Sequence, residues 1–334
     1  MPGAVRDRPE GGYGTGMTTF GYFLSSEEHR PQALVQQAKQ AEQAGFEALW
    51  ISDHFHPWLD EQGESPFVWS TIGALSQAVT LPVTTAVTCP IVRTHPAIIA
   101  QAAATSQVLL EGRFRLGVGT GEALNEHVTG AQWPAAGLRL EMLEEAIEII
   151  RALGEGGMVT HRGKHYQVET ARLYTRHDTP PPIFMSGYGP KATALAGRAA
   201  DGYMSTMPDA GLIKRFRDAG GEGKPTAAGL KACYGPDERK CAELAHHLWR
   251  QEQVPGEAGQ LLQTPRHFDQ ISELVTVDRV RENVPCGPDV ERHVAAIQPF
   301  VDAGFDEVYI NQIGPDQEAF FEFYATEVLP RLRR

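Results

Sequence analysis

Apolar residues in this chain fall into short runs separated by longer segments in which they recur every three or four positions. The short runs, rich in β-branched and aromatic residues, predict strands at 18–24, 47–53, 82–88, 114–120, 182–188, 202–207, 228–234 and 307–313. The segments between them predict amphipathic helices. In PQALVQQAKQAEQAG, for example, Leu34, Ala38 and Ala41 return at helical spacing. Eight strands alternating with helices, closed by QEAFFEFYATEVLPRL, match an α/β fold of the (β/α)8 TIM barrel type in count and length. An internal echo fits this reading, because AEQAGFEALWIS (41–52) and PFVDAGFDEVYIN (299–311) both run helix, Ala-Gly-Phe, acidic residue, strand. Gly45 and Gly304 are expected to end their helices in a left-handed conformation, with Phe46 and Phe305 packing under the next strand. Two stretches interrupt the alternation. Residues 157–174 carry β-branched and aromatic residues around HRGKH and predict an inserted hairpin. Residues 250–290 are too long for a plain loop and predict extra helices over the barrel mouth. Residues 1–16, with Gly, Pro and Arg but no apolar core, read as a loose leader before a single domain over 17–334.

Composition changes this picture little but excludes several classes. The chain is 42% hydrophobic and 22% charged, an ordinary globular mixture. Its formal charge of -12 and the lack of a basic cluster interleaved with aromatics argue against a nucleic-acid surface. No apolar run reaches the roughly 18 residues of a membrane span. Cys89, Cys233, Cys241 and Cys286 form no C-x-x-C pair, so they are read as packing residues in a reducing, cytoplasmic setting.

Candidate chemistry begins at SDHFHPW, 52–58, where His54 and His56 stand two apart at a strand end. On a strand they would point to the same side and suit a metal, yet such a site needs further ligands on later strands. The fifth and sixth strands hold no His and the last ends without Asp, so no metal is expected. The alternative is that His54 faces the mouth as an acid/base while His56 lies in the following loop, since active sites of these barrels sit at the carboxyl ends of strands. LGVGTGEALNE, 116–126, follows the fourth strand rather than the first, which is the wrong place for a dinucleotide fingerprint. Its glycines let a flat ring approach the backbone and set Glu122 and Asn125 at the same rim, where a carboxyl in apolar surroundings becomes a proton donor. SGYGPK, 186–191, reads either as an anion site at a helix N-terminus or as a plain turn with a proline at the first helical position.

SDHFHPW, TTAVTCP, LGVGTGEALNE, the SGYGPKA to AGRAADGY stretch and IGPDQEAFFEFY together resemble the luciferase-like oxidoreductases that use the deazaflavin coenzyme F420, most of all the group around F420-dependent glucose-6-phosphate dehydrogenase. The likeness runs over 18–333 and implies a luciferase-like barrel, a homodimer, and hydride transfer from the anomeric carbon of a sugar or sugar phosphate, giving a lactone and reduced F420. It implies that His54 is the base, Glu122 the acid and Trp58 a wall beside the reacting pair. Asp53, Thr88, Thr120 and Asn125 would contact the coenzyme, a cis peptide between Ala86 and Val87 would press on its ring, and Ser186, Gly187, Tyr188 and Gly189 would hold its phosphate. For the substrate, Thr206 is retained, but Asp209 and Gln270 stand where lysines are expected. A carboxylate there repels a phosphate dianion, so glucose 6-phosphate itself is not expected. A free sugar, another phosphate gripped by Arg266, His267 or Arg281, or a different secondary alcohol stay open. An FMN-dependent monooxygenase on the same barrel is the alternative.

Overall fold

The computed structural model describes residues 17–333, so the expected leader at 1–16 lies outside the described residues. The strands, in chain order, are β1 (Thr19–Leu24), β2 (Leu49–Ile51), β3 (Val83–Thr85), β4 (Phe114–Val118), β5 (Val159–Arg162), β6 (Gln167–Ala171), β7 (Ile183–Ser186), β8 (Gly202–Ser205), β9 (Thr226–Ala232) and β10 (Glu307–Gln312). Eight of them pair in parallel in the order β1, β2, β3, β4, β7, β8, β9, β10, and β10 returns to β1 to close a barrel. Each of the eight strands expected from the hydrophobic pattern is one of these staves. β5 and β6 form a separate antiparallel hairpin with a register shift between Val159 and His161.

The barrel interior is filled. Trp50 from β2 stacks on Tyr309 from β10, with ring centroids 4.3 Å apart and planes 14° from parallel. These two rings fit because small residues face them. A Cβ on Gly229 would lie 2.7 Å from the Trp50 ring, and one on Gly21 would lie 2.3 Å from the Tyr309 ring. Below the stack, at the amino ends of the strands, Arg115 donates to both Glu307 oxygens at 2.7 and 2.8 Å, and the Tyr309 hydroxyl donates to the same carboxylate at 2.6 Å. Above it, Phe23, Ala86 and Val87 cap the packed layer and remain partly exposed. The barrel therefore offers an apolar floor at the carboxyl ends of its strands, the end where such folds place chemistry.

Helices such as Pro31–Gln43, Pro96–Leu109, Ala136–Gly154 and Val290–Ala303 surround the barrel. Gly45 and Gly304 adopt φ of 89° and 92° at their helix ends, and Phe46 and Phe305 are buried, as the Ala-Gly-Phe echo predicts. Within 250–290 the chain forms the helices Ala258–Leu261, Pro265–Ser272 and Val277–Asn283. Phe268 from the second of these packs with Leu59, Leu124 and Trp58, which places the segment over the mouth. No helix among the described residues is long and apolar enough to cross a membrane. The four cysteines are free and buried.

One expectation needs correcting. The strand expected over 47–53 ends at Ile51, because Ser52 turns its hydroxyl into the loop after β1, bonding Glu27 and the Ser26 amide at 2.8 and 2.9 Å. His54 and His56 lie in the loop beyond β2, so the two-residue strand period does not set their relative direction.

Gly21→Ala is expected to lower unfolding free energy by about 1–3 kcal/mol, since the methyl meets both the Tyr309 ring and, at 2.9 Å, the Ala48 carbonyl. Urea denaturation measures this, and an unchanged midpoint would mean that the interior has slack.

Candidate active site

Asn125 organises the mouth. It sits in the short helix Ala123–Glu126 that follows β4, and it is buried. Its Oδ1 accepts from the backbone amides of Phe55 and His56 at 2.9 and 3.1 Å, so its NH2 must point the other way, toward His54 Nδ1 at 3.1 Å. The loop after β2 is thereby fastened to the loop after β4. His54 Nδ1 also lies 3.1 Å from the His56 carbonyl. The ring thus has a donor and an acceptor beside one nitrogen and is held in either tautomer. Its other nitrogen, Nε2, lies 3.6 Å from Glu27 Oε1, beyond hydrogen-bond length. Trp58 stands beside the imidazole with centroids 5.0 Å apart. His56 turns away, with its Nδ1 3.0 Å from the Leu124 carbonyl, and serves the loop rather than a shared ligand site.

Two carboxyl groups flank His54 and have opposite tendencies. Burial alone would push Glu27 up, but the imidazole, its own backbone amide, Lys231 and the Ser52 hydroxyl outweigh this and hold it below the ordinary value. Ser25 and Ser52 donate to it at 2.9 and 2.8 Å. Glu122 moves the other way: burial raises its proton affinity against the opposing pull of His54 and the Asn125 amide. Two carboxyl groups with proton affinities shifted in opposite directions therefore act on one imidazole.

Asp53 is buried and fully engaged. Thr88 Oγ1 donates to its Oδ2 at 2.7 Å, and Arg93 Nη2 donates to its Oδ1 at 2.8 Å. Glu126 accepts from the Arg93 backbone amide at 2.7 Å, and burial pushes its carboxyl up to about 7. These contacts tie the ends of β2, β3 and β4 together beneath the mouth. The peptide between Ala86 and Val87 is cis, as expected. Thr120 is half-buried at the rim. A Cβ on Gly119 would stand 2.7 Å from Val87 Cγ2 and one on Gly121 2.8 Å from Cys89 Sγ, so these fourth-strand glycines admit side chains of the β3 loop rather than leaving their backbone open to a ring.

Across the mouth, Ser186 ends β7, and Gly187, Tyr188 and Gly189 lead into the helix Pro190–Ala199. The Tyr188 hydroxyl lies 3.1 Å from Thr206 Oγ1, joining the loops after β7 and β8. The remaining substrate candidates are dispersed. Asp209 caps the helix Ala210–Phe216, accepting from Gly211 N at 2.7 Å. Gln270 and Arg266 are exposed on the helix Pro265–Ser272. Arg281 pairs with Glu238 at 3.8 Å on the outer surface. Glu27, Arg93 and Lys231 are participants that sequence reasoning passed over. The rule that strand ends carry chemistry points to Glu27 and Lys231, but nothing in SSEEH separates Glu27 from its neighbour Glu28.

The profile of the luciferase-like monooxygenase family matches residues 17–307. The chain belongs to this family. Among its curated relatives, an F420-dependent glucose-6-phosphate dehydrogenase of Microbacterium testaceum is 36% identical over 94% of this chain and 97% of its own. An F420-dependent hydroxymycolic acid dehydrogenase of Mycobacterium tuberculosis is 37% identical over 94% of this chain and 88% of its own. Of solved structures, an F420-dependent secondary alcohol dehydrogenase in complex with an F420–acetone adduct superposes with a TM-score of 0.88 at 32% identity, covering 96% of this chain and all of that one. The luciferase-like barrel inferred from the residues is therefore the fold observed.

Replacing Asn125 tests how the site is held. Asn125→Asp keeps the two backbone acceptor contacts but sets a negative charge against His54 Nδ1 in place of an amide. Because a carboxylate can only accept, the His54 ring should settle in its Nδ1–H tautomer, which imidazole 15N chemical shifts report. Asn125→Ala leaves two loop amides without their acceptor and should cost about 1–3 kcal/mol in urea unfolding.

Proposed function

We propose that this chain is an F420-dependent dehydrogenase that oxidises a CH–OH group of a sugar or related alcohol to the carbonyl level. The reading is supported by the names of relatives that cover nearly the whole chain and by the match of the mouth to the coenzyme. Phe23, Ala86 and Val87 give a planar ring an apolar floor, with Val87 seated over Gly119. The loop at Ser186–Gly189 and the first amides of the helix Pro190–Ala199 suit the coenzyme's phosphate, because amides at a helix start have no partner within the helix. Bound there, the deazaflavin supplies the hydride acceptor.

The protein's own residues manage the proton. With its proton on Nδ1 and donated to the His56 carbonyl, and the Asn125 NH2 then serving the Glu122 carboxyl rather than this nitrogen, His54 presents an open Nε2 that takes the proton of the substrate hydroxyl as the C–H bond gives up its hydride. The imidazolium so formed stands 3.6 Å from the Glu27 carboxylate, whose depressed proton affinity keeps it charged. This attraction appears only as the proton moves, and such an interaction lowers a barrier rather than merely tightening binding. Glu122, whose proton affinity burial raises, is the group that would give a proton to the bound ring. Trp58 and Phe268, with centroids 5.1 Å apart, wall the pocket from water. The observation that carries the proposal is this disposition of base, counter-charge and acid over one apolar floor. A cytoplasmic homodimer belongs to the same proposal.

The test uses purified protein, oxidised F420 and a panel of alcohols and sugars, following the loss of the coenzyme's visible absorbance. His54→Ala should bind coenzyme, seen by fluorescence quenching, yet turn over about 10²–10⁴-fold more slowly. Full activity would remove His54 from the mechanism. Because the protonated Glu122 is the working form and its affinity for the proton is raised, activity should fall as pH rises through that raised value. Glu122→Gln should erase this alkaline limb while leaving a lower, flatter profile.

A further inference from the structure

Round the rim from His54, β9 carries a charge pair whose cation, Lys231, also helps keep Glu27 ionised. Lys231 lies near the end of β9, and its side chain is only 13% exposed. Its ammonium is 2.5 Å from Glu252 Oε1, 3.9 Å from the centroid of Trp249 and 5.6 Å from that of Phe23. Phe23 also belongs to the apolar floor, so this cation stands at the edge of the reacting space. The adjoining cavity, of about 780 Å³, is lined by Phe23, Thr206, Met207, Lys231 and Glu252 among others. Its other cation, Arg292, is committed to the Glu238 carboxylate and the Arg281 carbonyl. Two carboxylates, Glu252 and Glu282, match the two cations along the wall.

Resting on the dehydrogenase reading above, we propose that Glu252 is a built-in counter-ion for Lys231 and that the pair makes the site select uncharged alcohols over anionic ones. A phosphate or carboxylate on the substrate would have to draw Lys231 away from Glu252. That would leave Glu252 without its cation and facing added negative charge, while Glu282 keeps its own partner, Arg279, at 3.4 Å. A neutral hydroxyl meets no such conflict. An ammonium has three N–H donors, and one remains for a neutral oxygen while Glu252 keeps its own bond. The specificity then arises from repulsion of the wrong substrate as well as attraction of the right one. The exposed Arg266 and the surface-paired Arg281 do not supply a replacement cation at this wall.

The experiment compares wild type, Glu252→Gln, Lys231→Met and the double variant, each checked for an intact fold by thermal melting. Inorganic phosphate is titrated into the protein without coenzyme by calorimetry. Glu252→Gln should bind phosphate at least tenfold more tightly than wild type, and the double variant should lose that gain. In parallel, the ratio of kcat/KM for glucose 6-phosphate to that for 2-propanol should rise at least tenfold in Glu252→Gln. Equal phosphate affinity in wild type and Glu252→Gln, a gain that persists in the double variant, or a wild-type preference for glucose 6-phosphate over glucose overturns the inference. If no alcohol reduces the coenzyme with any of the four proteins, the dehydrogenase reading falls, and the phosphate titration still decides the role of Glu252.

Discussion

Everything at the mouth depends on one side-chain amide, Asn125, being saturated on its oxygen. Two adjacent backbone N–H groups from the loop after β2 occupy Oδ1, and that forces the nitrogen toward His54. An amide with a free oxygen has no reason to prefer one flip over the other. Here the choice is made by Phe55 and His56, so the loop that carries the imidazole also fixes the group that orients it. Glu122 precedes Asn125 by one turn in the same segment, and its position relative to His54 follows from the same attachment.

The attachment is useful only because the barrel beneath it does not yield. A pocket over a collapsible interior would let the β2 and β4 loops drift together or apart with each ligand. The Trp50–Tyr309 stack fills the interior, the Arg115–Glu307 pair closes its far end, and the Asp53–Thr88–Arg93 contacts knit three strand ends below the loops. Close-packed interiors transmit strain rather than absorbing it. The rigid floor of Phe23, Ala86 and Val87 is thus the upper surface of a packed column.

The architecture was legible in the sequence because each stave is a short, largely buried run, and in β10 all six residues are buried although Glu307, Asn311 and Gln312 are polar. The ends of the staves were less legible. EALWISD reads as one strand to Asp53, yet the Ser52 carbonyl accepts from the Ser26 hydroxyl at 2.8 Å instead of from a ladder amide, a competition between side-chain and main-chain hydrogen bonds that spacing does not reveal. In the site, His54, Glu122 and Asn125 were legible because they adjoin glycine-rich or aromatic motifs. Glu27 and Lys231 were not, since an isolated charged residue at a strand end looks like solvated surface until the fold brings its partner from far along the chain. The stretch that separates Lys231 from Glu252, 21 positions apart, carries no motif. Asp209 shows the reverse case, in which a residue that stood out in sequence is absorbed locally as a helix cap.

The rim thus divides into two arcs with different duties. The β1, β2 and β4 arc carries Glu27, His54 and Glu122, whose proton affinities are set against one another by burial and mutual charge. The β8 and β9 arc carries Thr206 and the Lys231–Glu252 pair. Lys231 links the two arcs, because its charge helps hold Glu27 below the ordinary carboxylate value. A charge altered on the second arc is therefore felt at the counter-charge of the imidazole as well as at the cavity wall. On the dehydrogenase proposal the first arc would handle the proton and the second would bias which alcohol enters, with Lys231 coupling the two.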